Sequence, residues 1–271
     1  MVDQPFTTTE DLLQHVVDLA DSGRLLHALP LAKRAVALDP MNLAAVVQLM
    51  NIHAAMERLD LAIAVGEEAL RIGVRDKVLH FLLSGYRRGM GDLEGAEAAA
   101  MEGMALAPDA AAPRIALALV RERQERPDEA LELLRDAAQL PESGMALEQT
   151  IRIASKLSRH ADVVAACKSY LRRFGRNADV LRFLGEAYFG LDELRRAERA
   201  FRDAIEEEPD SVAANCSLVL FLLASKNEAA ASRQLDALLL LNPELCETVV
   251  EQIKEAVSAS SDAENPEAPR S

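Results

Sequence analysis

The chain lacks tryptophan altogether, and aromatic residues make up 4% of its 271 positions. Few rings are therefore available for stacking nucleic-acid bases, and only 6 Lys accompany 24 Arg for tracking a phosphate backbone. Cysteine is almost missing. Cys167, Cys216 and Cys246 are an odd number with no close pair, which argues against a disulfide framework and for a reducing compartment. Residues 1–20 hold no Lys or Arg, the opposite of the basic start of an export signal. The uncharged run Ser211 to Ser225 is too short to cross a bilayer. Glycine is sparse, β-branched residues are not enriched, and half the residues are apolar. A cytoplasmic, all-α protein is expected, and the bias to Arg and Ala suggests a bacterial source with a GC-rich genome.

What the chain does contain is a period. Ala28, Ala32, Ala35 and Pro40 return as Ala197, Phe201, Ala204 and Pro209, and again as Ala231, Leu235, Leu238 and Pro243. A fixed spacing of 34 residues signals stacked supersecondary units rather than a closed globule. Laid along the chain, it gives a lead-in, 1–8, and seven units: 9–42, 43–76, 77–110, 111–143, 144–177, 178–211 and 212–245. Beyond them Val249, Ile253 and Val257 recur at helical spacing, so 246–258 is read as a capping helix with a polar outer face. Residues 259–271, rich in Ser, Ala, Pro and acid, are read as a disordered tail.

The sixth unit is the clearest, with Leu181, Leu184, Gly185 and Tyr188 ahead of Ala197, Phe201, Ala204 and Pro209. It resembles the tetratricopeptide repeat, whose pattern is Trp-x-x-Leu-Gly-x-x-Tyr, then Ala-x-x-x-Phe, then Pro. The third unit has the matching turn, Gly91 to Glu94, and the first has Gly23 at the same place. No unit has the Trp, the second has Val74 for the Pro, and the fifth has Val163, Cys167 and Gly175 at the three key sites. Each signature residue has a physical reason. Small side chains at the eighth and twentieth positions let two helices approach. A Gly–Asp pair breaks the first helix, and the Pro closes the second. The resemblance implies a right-handed α-solenoid of stacked antiparallel helix pairs, with a concave groove lined mainly by the first helix of each unit.

Positions 2, 5, 9 and 12 of each unit should face that groove. They are greasy in the first four units: Leu13, Val17, Ala44, Val47, Val78, Phe81, Ile115 and Leu119, with Asn51 among them. Apolar groove residues are not needed for stacking, so a partner's apolar face is one reading; a register shift that returns some to the core is the other. Charge is uneven. Residues 152–202 hold 12 Lys and Arg against 6 Asp and Glu in a chain of net charge −14. Arg172, Arg173, Arg176, Arg195, Arg196, Arg199 and Arg202 belong to this band, and Arg152 and Arg182 should point into the groove. The band is either a solvated face whose arginines pair with acids at helical spacing, such as Glu198 with Arg202, or a site for an anionic segment. Val212 to Ala224 carries no charge on any face, so either the capping helix covers it or another protein does, including a second copy.

The family's carboxylate clamp, which grips acidic chaperone tails, requires Lys, Asn and Arg at set positions. Here Val47, Asn51, Leu82, Ala112 and Ala116 occupy them, so no clamp is expected. His15, His27, His53, His80 and His160 show no metal-ligand spacing, and His15, His53 and His80 fall at helix-packing positions. No phosphate-cradling Gly loop or nucleophile elbow occurs. The sequence therefore implies no enzyme and no cofactor. It suggests an adaptor or chaperone-like scaffold holding a client peptide or helix. The alternatives are an anion-directed binder of nucleic acid or an acidic segment, and a self-assembling scaffold.

Overall fold

The computed structural model of the protein describes residues 9–140 and 143–241. Among these the backbone forms fourteen α-helices in consecutive pairs and no strand. They are α1 (Thr9–Asp21), α2 (Leu25–Leu38), α3 (Leu43–Ala55), α4 (Leu59–Ile72), α5 (Lys77–Met90), α6 (Leu93–Leu106) and α7 (Ala111–Arg123). There follow α8 (Pro127–Ala137), α9 (Gly144–Lys156), α10 (His160–Phe174), α11 (Ala178–Gly190), α12 (Leu194–Glu207), α13 (Val212–Ala224) and α14 (Glu228–Leu241). The lead-in, the capping helix and the tail read from the sequence, with Cys246, lie outside the described residues.

The repeat is written in the backbone. Each first helix turns into its partner through one residue at positive φ: Gly23, Glu57, Gly91, Glu125, Ser158, Asp192 and Lys226. Successive turns lie 34 residues apart, except for the 33 between Glu125 and Ser158. The residue after each turn donates its N–H five residues back, as Arg58 does to His53 O and Glu193 to Tyr188 O, closing the helix end in a Schellman pattern. Five of the seven turns carry a side chain where glycine is unstrained, at a cost of about 1 kcal/mol each.

The two repeats without the closing Pro stop their second helices with glycine instead. Gly73 (φ 107°) caps α4 and leaves the next residue, Val74, free to enter the core; Gly175 (φ 90°) caps α10. Small residues sit where helices cross. Ala28, Ala32, Ala35, Ala62, Ala96, Ala197 and Ala204 are fully buried. At Gly185 an added Cβ would lie 2.7 Å from the Phe201 ring, and at Gly66 it would lie 2.7 Å from Met50 Cε. These crossings admit no larger group.

The chain forms two compact bodies, one ending at Ala146 and one beginning at Leu147. In the first, α1 packs on α2 and α3, and α5 packs on α4, α6 and α7. Its core runs through Val16, Leu49 and Ile52, then Val46, Met50, Leu79 and Leu83. In the second, α11 packs on α10, α12 and α13, with Leu181, Ala204 and Ala214 together and Phe201 5.6 Å from Phe221 between ring centroids. Cys167 is buried, and desolvation pushes its thiol up to about 12, so it packs as a small hydrophobe.

One expectation is corrected. His15 is exposed on α1, because Leu12, Val16 and Leu19 form that helix's buried stripe and His15 lies off it. Only His53 and His80 are buried. On helix α13 Leu218, Val219, Phe221 and Leu222 are buried, while Leu220 is exposed.

Candidate protein-interaction face

Four first helices of the first body, α1, α3, α5 and α7, carry the residues expected to meet a partner. Val17, Val78 and Leu119 are half-buried, each keeping part of its apolar surface in solvent. Leu13 is half-buried against Leu12, Ala35 and Ala45, and Val47 against the Val46–Met50 cluster. Phe81 is half-buried against Ala100, Ala116 and Leu117, so much of its ring holds α5 to the next repeat. Ile115 is a correction. It is 2% exposed and cannot touch a partner. Helix α7 packs on α5, α6 and α8, and its inward stripe is wide enough to take in Ile115 with Ala116, Leu117 and Ala118.

Asn51 is exposed on α3, and its Oδ1 accepts a hydrogen bond of 2.8 Å from the Tyr86 hydroxyl of α5. That bond ties two first helices together beside the apolar residues. Tyr86 was not legible as a site residue, since its partner lies 35 positions away. Next to it Gly85 leaves open space: an added Cβ would meet nothing within 4 Å. The position that holds Val17 in α1 and Leu119 in α7 is thus an indentation in α5.

In the second body the two candidate arginines are not free cations. Arg152 Nε donates to Gln149 Oε1 at 2.8 Å. The Arg182 side chain is 16% exposed, donates to Glu186 Oε1 at 2.7 Å and lies 3.5 Å from Asp179. Its guanidinium stacks 4.1 Å over the Phe183 ring. Together with Glu148, Ile151 and Asn177 it lines a pocket of ≈ 270 Å³. Elsewhere in the basic band, Arg176 pairs with Glu207 and Glu206, Arg196 with Glu193 at 2.5 Å, and Arg202 with Glu198 at 2.8 Å. At Arg176, Arg182, Arg196 and Arg202 the positive charge visible in the sequence is neutralised locally.

A bidentate ion pair of the first body lies on an interface the sequence did not mark. Arg121 of α7 grips both oxygens of Glu97 on α6 at 2.6 and 2.7 Å, and Gln124 Nε2 donates to the same carboxylate. Hydrogen bonding from Arg121, then from Gln124, holds the Glu97 carboxyl down at about 2. No group of three or more His, Cys, Asp and Glu side chains is arranged for a metal among the described residues. No described helix is long and apolar enough to cross a membrane.

Neither a protein-family model nor any curated protein matches the sequence. Solved structures do match. Yeast Tom70 superposes with a TM-score of 0.67 at 14% identity, over 97% of this chain and 58% of its own. A tetratricopeptide repeat protein from Parabacteroides merdae gives 0.57 at 15% identity, over 92% and 97%. Cut9, in the APC/C Cut9–Hcn1 hetero-tetramer, gives 0.59 at 15% identity over 92% of this chain, which spans half of that one's length.

The chain has the tetratricopeptide-repeat fold. At these identities the likeness is one of architecture, and the side chains on the tetratricopeptide first-helix face are this chain's own.

Proposed function

We propose that this tetratricopeptide chain is a non-enzymatic interaction adaptor or scaffold, chaperone-like in use and cytoplasmic, holding a client peptide or helix on its first-helix face without a carboxylate clamp. The observation that carries the reading is the recurrence of partly exposed aliphatic side chains, Val17, Val47, Val78 and Leu119, on four first helices of one body. Stacking is already satisfied by the fully buried residues beside them, so this surface is free to be covered by another chain. Half-buried Phe81 lies on the same helix as Val78, and the Asn51–Tyr86 pair with the Gly85 indentation supplies a polar contact and a recess for orientation. The arginines' local pairing supports an apolar over an anion-directed partner, because a phosphate chain must compete with Glu186, Glu193, Glu198 and Glu207 for them.

The test is capture of partners at moderate and high salt by the intact chain and by a Val17→Glu, Leu119→Arg variant of equal helicity. A specific protein retained at both salts and lost from the variant is the expected result. Retention of the same material by both, or of nucleic acid lost steeply with salt, overturns it. A second reading, self-assembly through the seventh repeat, is favoured by Leu240, 84% exposed, with Leu241 and Leu220 also exposed. Sedimentation velocity decides it: a dimer dispersed by Leu240→Glu supports the reading, and a monomer at every concentration removes it.

A further inference from the structure

Helices α2, α3 and α4 line an open apolar slot of ≈ 600 Å³ on the second-helix side of the first body. Val36 and Ala37 of α2 line one wall, Ala64 and Val65 of α4 the other, with the buried Leu49 and His53 of α3 at the floor. Ala37 and Ala64 each present only a single methyl to the slot. Its volume is that of a small-molecule site.

Two polar features of the slot have no structural use. His53 is 3% exposed, and its buried Nδ1 has no hydrogen-bond partner among the described residues. An unpaired buried imidazole nitrogen opposes folding, and an apolar residue of similar size would pack there without that cost. Lys33 stands at the rim, with no carboxylate in salt-bridge range among the described residues. The rim's own acid, Glu68, is held by Arg71 at 2.5 Å. Lys33 is also close enough to His53 to oppose its protonation, as is Arg58, while Asp60 favours it.

We propose that this slot binds a medium-chain amphiphile with a single carboxylate head, its aliphatic body between α2 and α4 and its head group shared by Lys33 and His53. Apolar walls select the chain, and the unneutralised ammonium with an imidazole N–H beside it selects the anion. The site is independent of the client face, which the first helices form.

The test is titration of the full chain with decanoate below its micelle concentration, by calorimetry and by NMR of the His53 ring protons. Saturable binding of one equivalent is expected, with the His53 resonances moving and its titration shifting upward as the carboxylate arrives. Decanol, lacking the charge, and the exposed-site variant Lys33→Ala should each bind about tenfold more weakly. Ala64→Trp, checked for unchanged helicity, should abolish binding while leaving client capture intact. Absence of saturable binding overturns the proposal, as does wild-type affinity in Ala64→Trp. Decanol binding as tightly as decanoate overturns the assignment of Lys33 and His53, and occupation of the slot by an amphipathic helical peptide alone refutes the small-molecule class.

Discussion

Replacing Gly185 by Ala should destabilise the second body, against the rule that alanine strengthens a helix. Gly185 lies inside α11, where the change gains about 1 kcal/mol of helix propensity. The new methyl would sit 2.7 Å from two carbons of the Phe201 ring and 3.0 Å from a third, well inside van der Waals contact. Phe201 is 2% exposed and its ring is packed on Phe221, so it cannot swing away. Overpacking of this kind costs about 1–3 kcal/mol, and against a rigid ring the upper half applies, leaving a net loss of about 1–2 kcal/mol. Gly85→Ala in α5 is the matched control. Nothing lies within 4 Å of its new methyl, so only the propensity gain remains, about 0.5–1 kcal/mol of added stability. Urea unfolding followed by circular dichroism reads both, since the chain has no tryptophan to report by fluorescence. Repeat arrays need not unfold in one step, so amide exchange in α11 and α12 should localise the loss. Equal stabilisation by the two substitutions would refute the close-packing argument. The cycle with Phe201→Leu checks the cause, because the penalty should shrink once the ring is gone.

Three further outcomes follow from the same geometry. Glu97→Gln should lower stability by about 1 kcal/mol at neutral pH, a figure discounted because the pair is partly solvated. Glu97 titrates at about 2 when folded against 4.5 when free, so its contribution is complete above 4.5 and is lost as pH falls towards 2; the variant's acid limb should be flatter in that window. Burial lowers the protonation of both His53 and His80, so each stabilises the fold fully above its ordinary value of 6.5 and progressively less below it. Around His80, Glu102 and Asp76 work against the shift and Arg75 with it. Thermal melts should fall from roughly pH 7 to 5, and a His53→Gln, His80→Gln pair should remove much of that slope. Pro30 sits inside α2 and breaks its hydrogen-bond ladder, so Pro30→Ala should raise stability by about 1–3 kcal/mol in a urea titration.

The spacing of Ala, Gly and Pro carried the architecture in full view, because a helix, its turn and its antiparallel partner are bonded within one short stretch of chain. The 33-residue fourth repeat shows how local that information is: its missing residue reappears as the single short step between the turns at Glu125 and Ser158. The small residue at Gly185 could be read as a crossing point for the same reason, since Phe201 follows 16 positions later in the same helix pair. What remained open was anything that depends on how one repeat leans on the next. Ile115 has the pattern of a surface residue and is buried because α5, α6 and α8 all close on α7. His15 shares a packing position with residues that are covered, yet the stripe of α1 passes it by. Arg182 had acids at both helical spacings, and only side-chain geometry shows that Glu186 and Asp179 neutralise it while Phe183 stacks beneath. The slot beside His53 is a space between three helices. Its walls are residues from 36 to 65 whose common boundary has no trace in any periodicity, because a cavity is defined by what fails to meet across it.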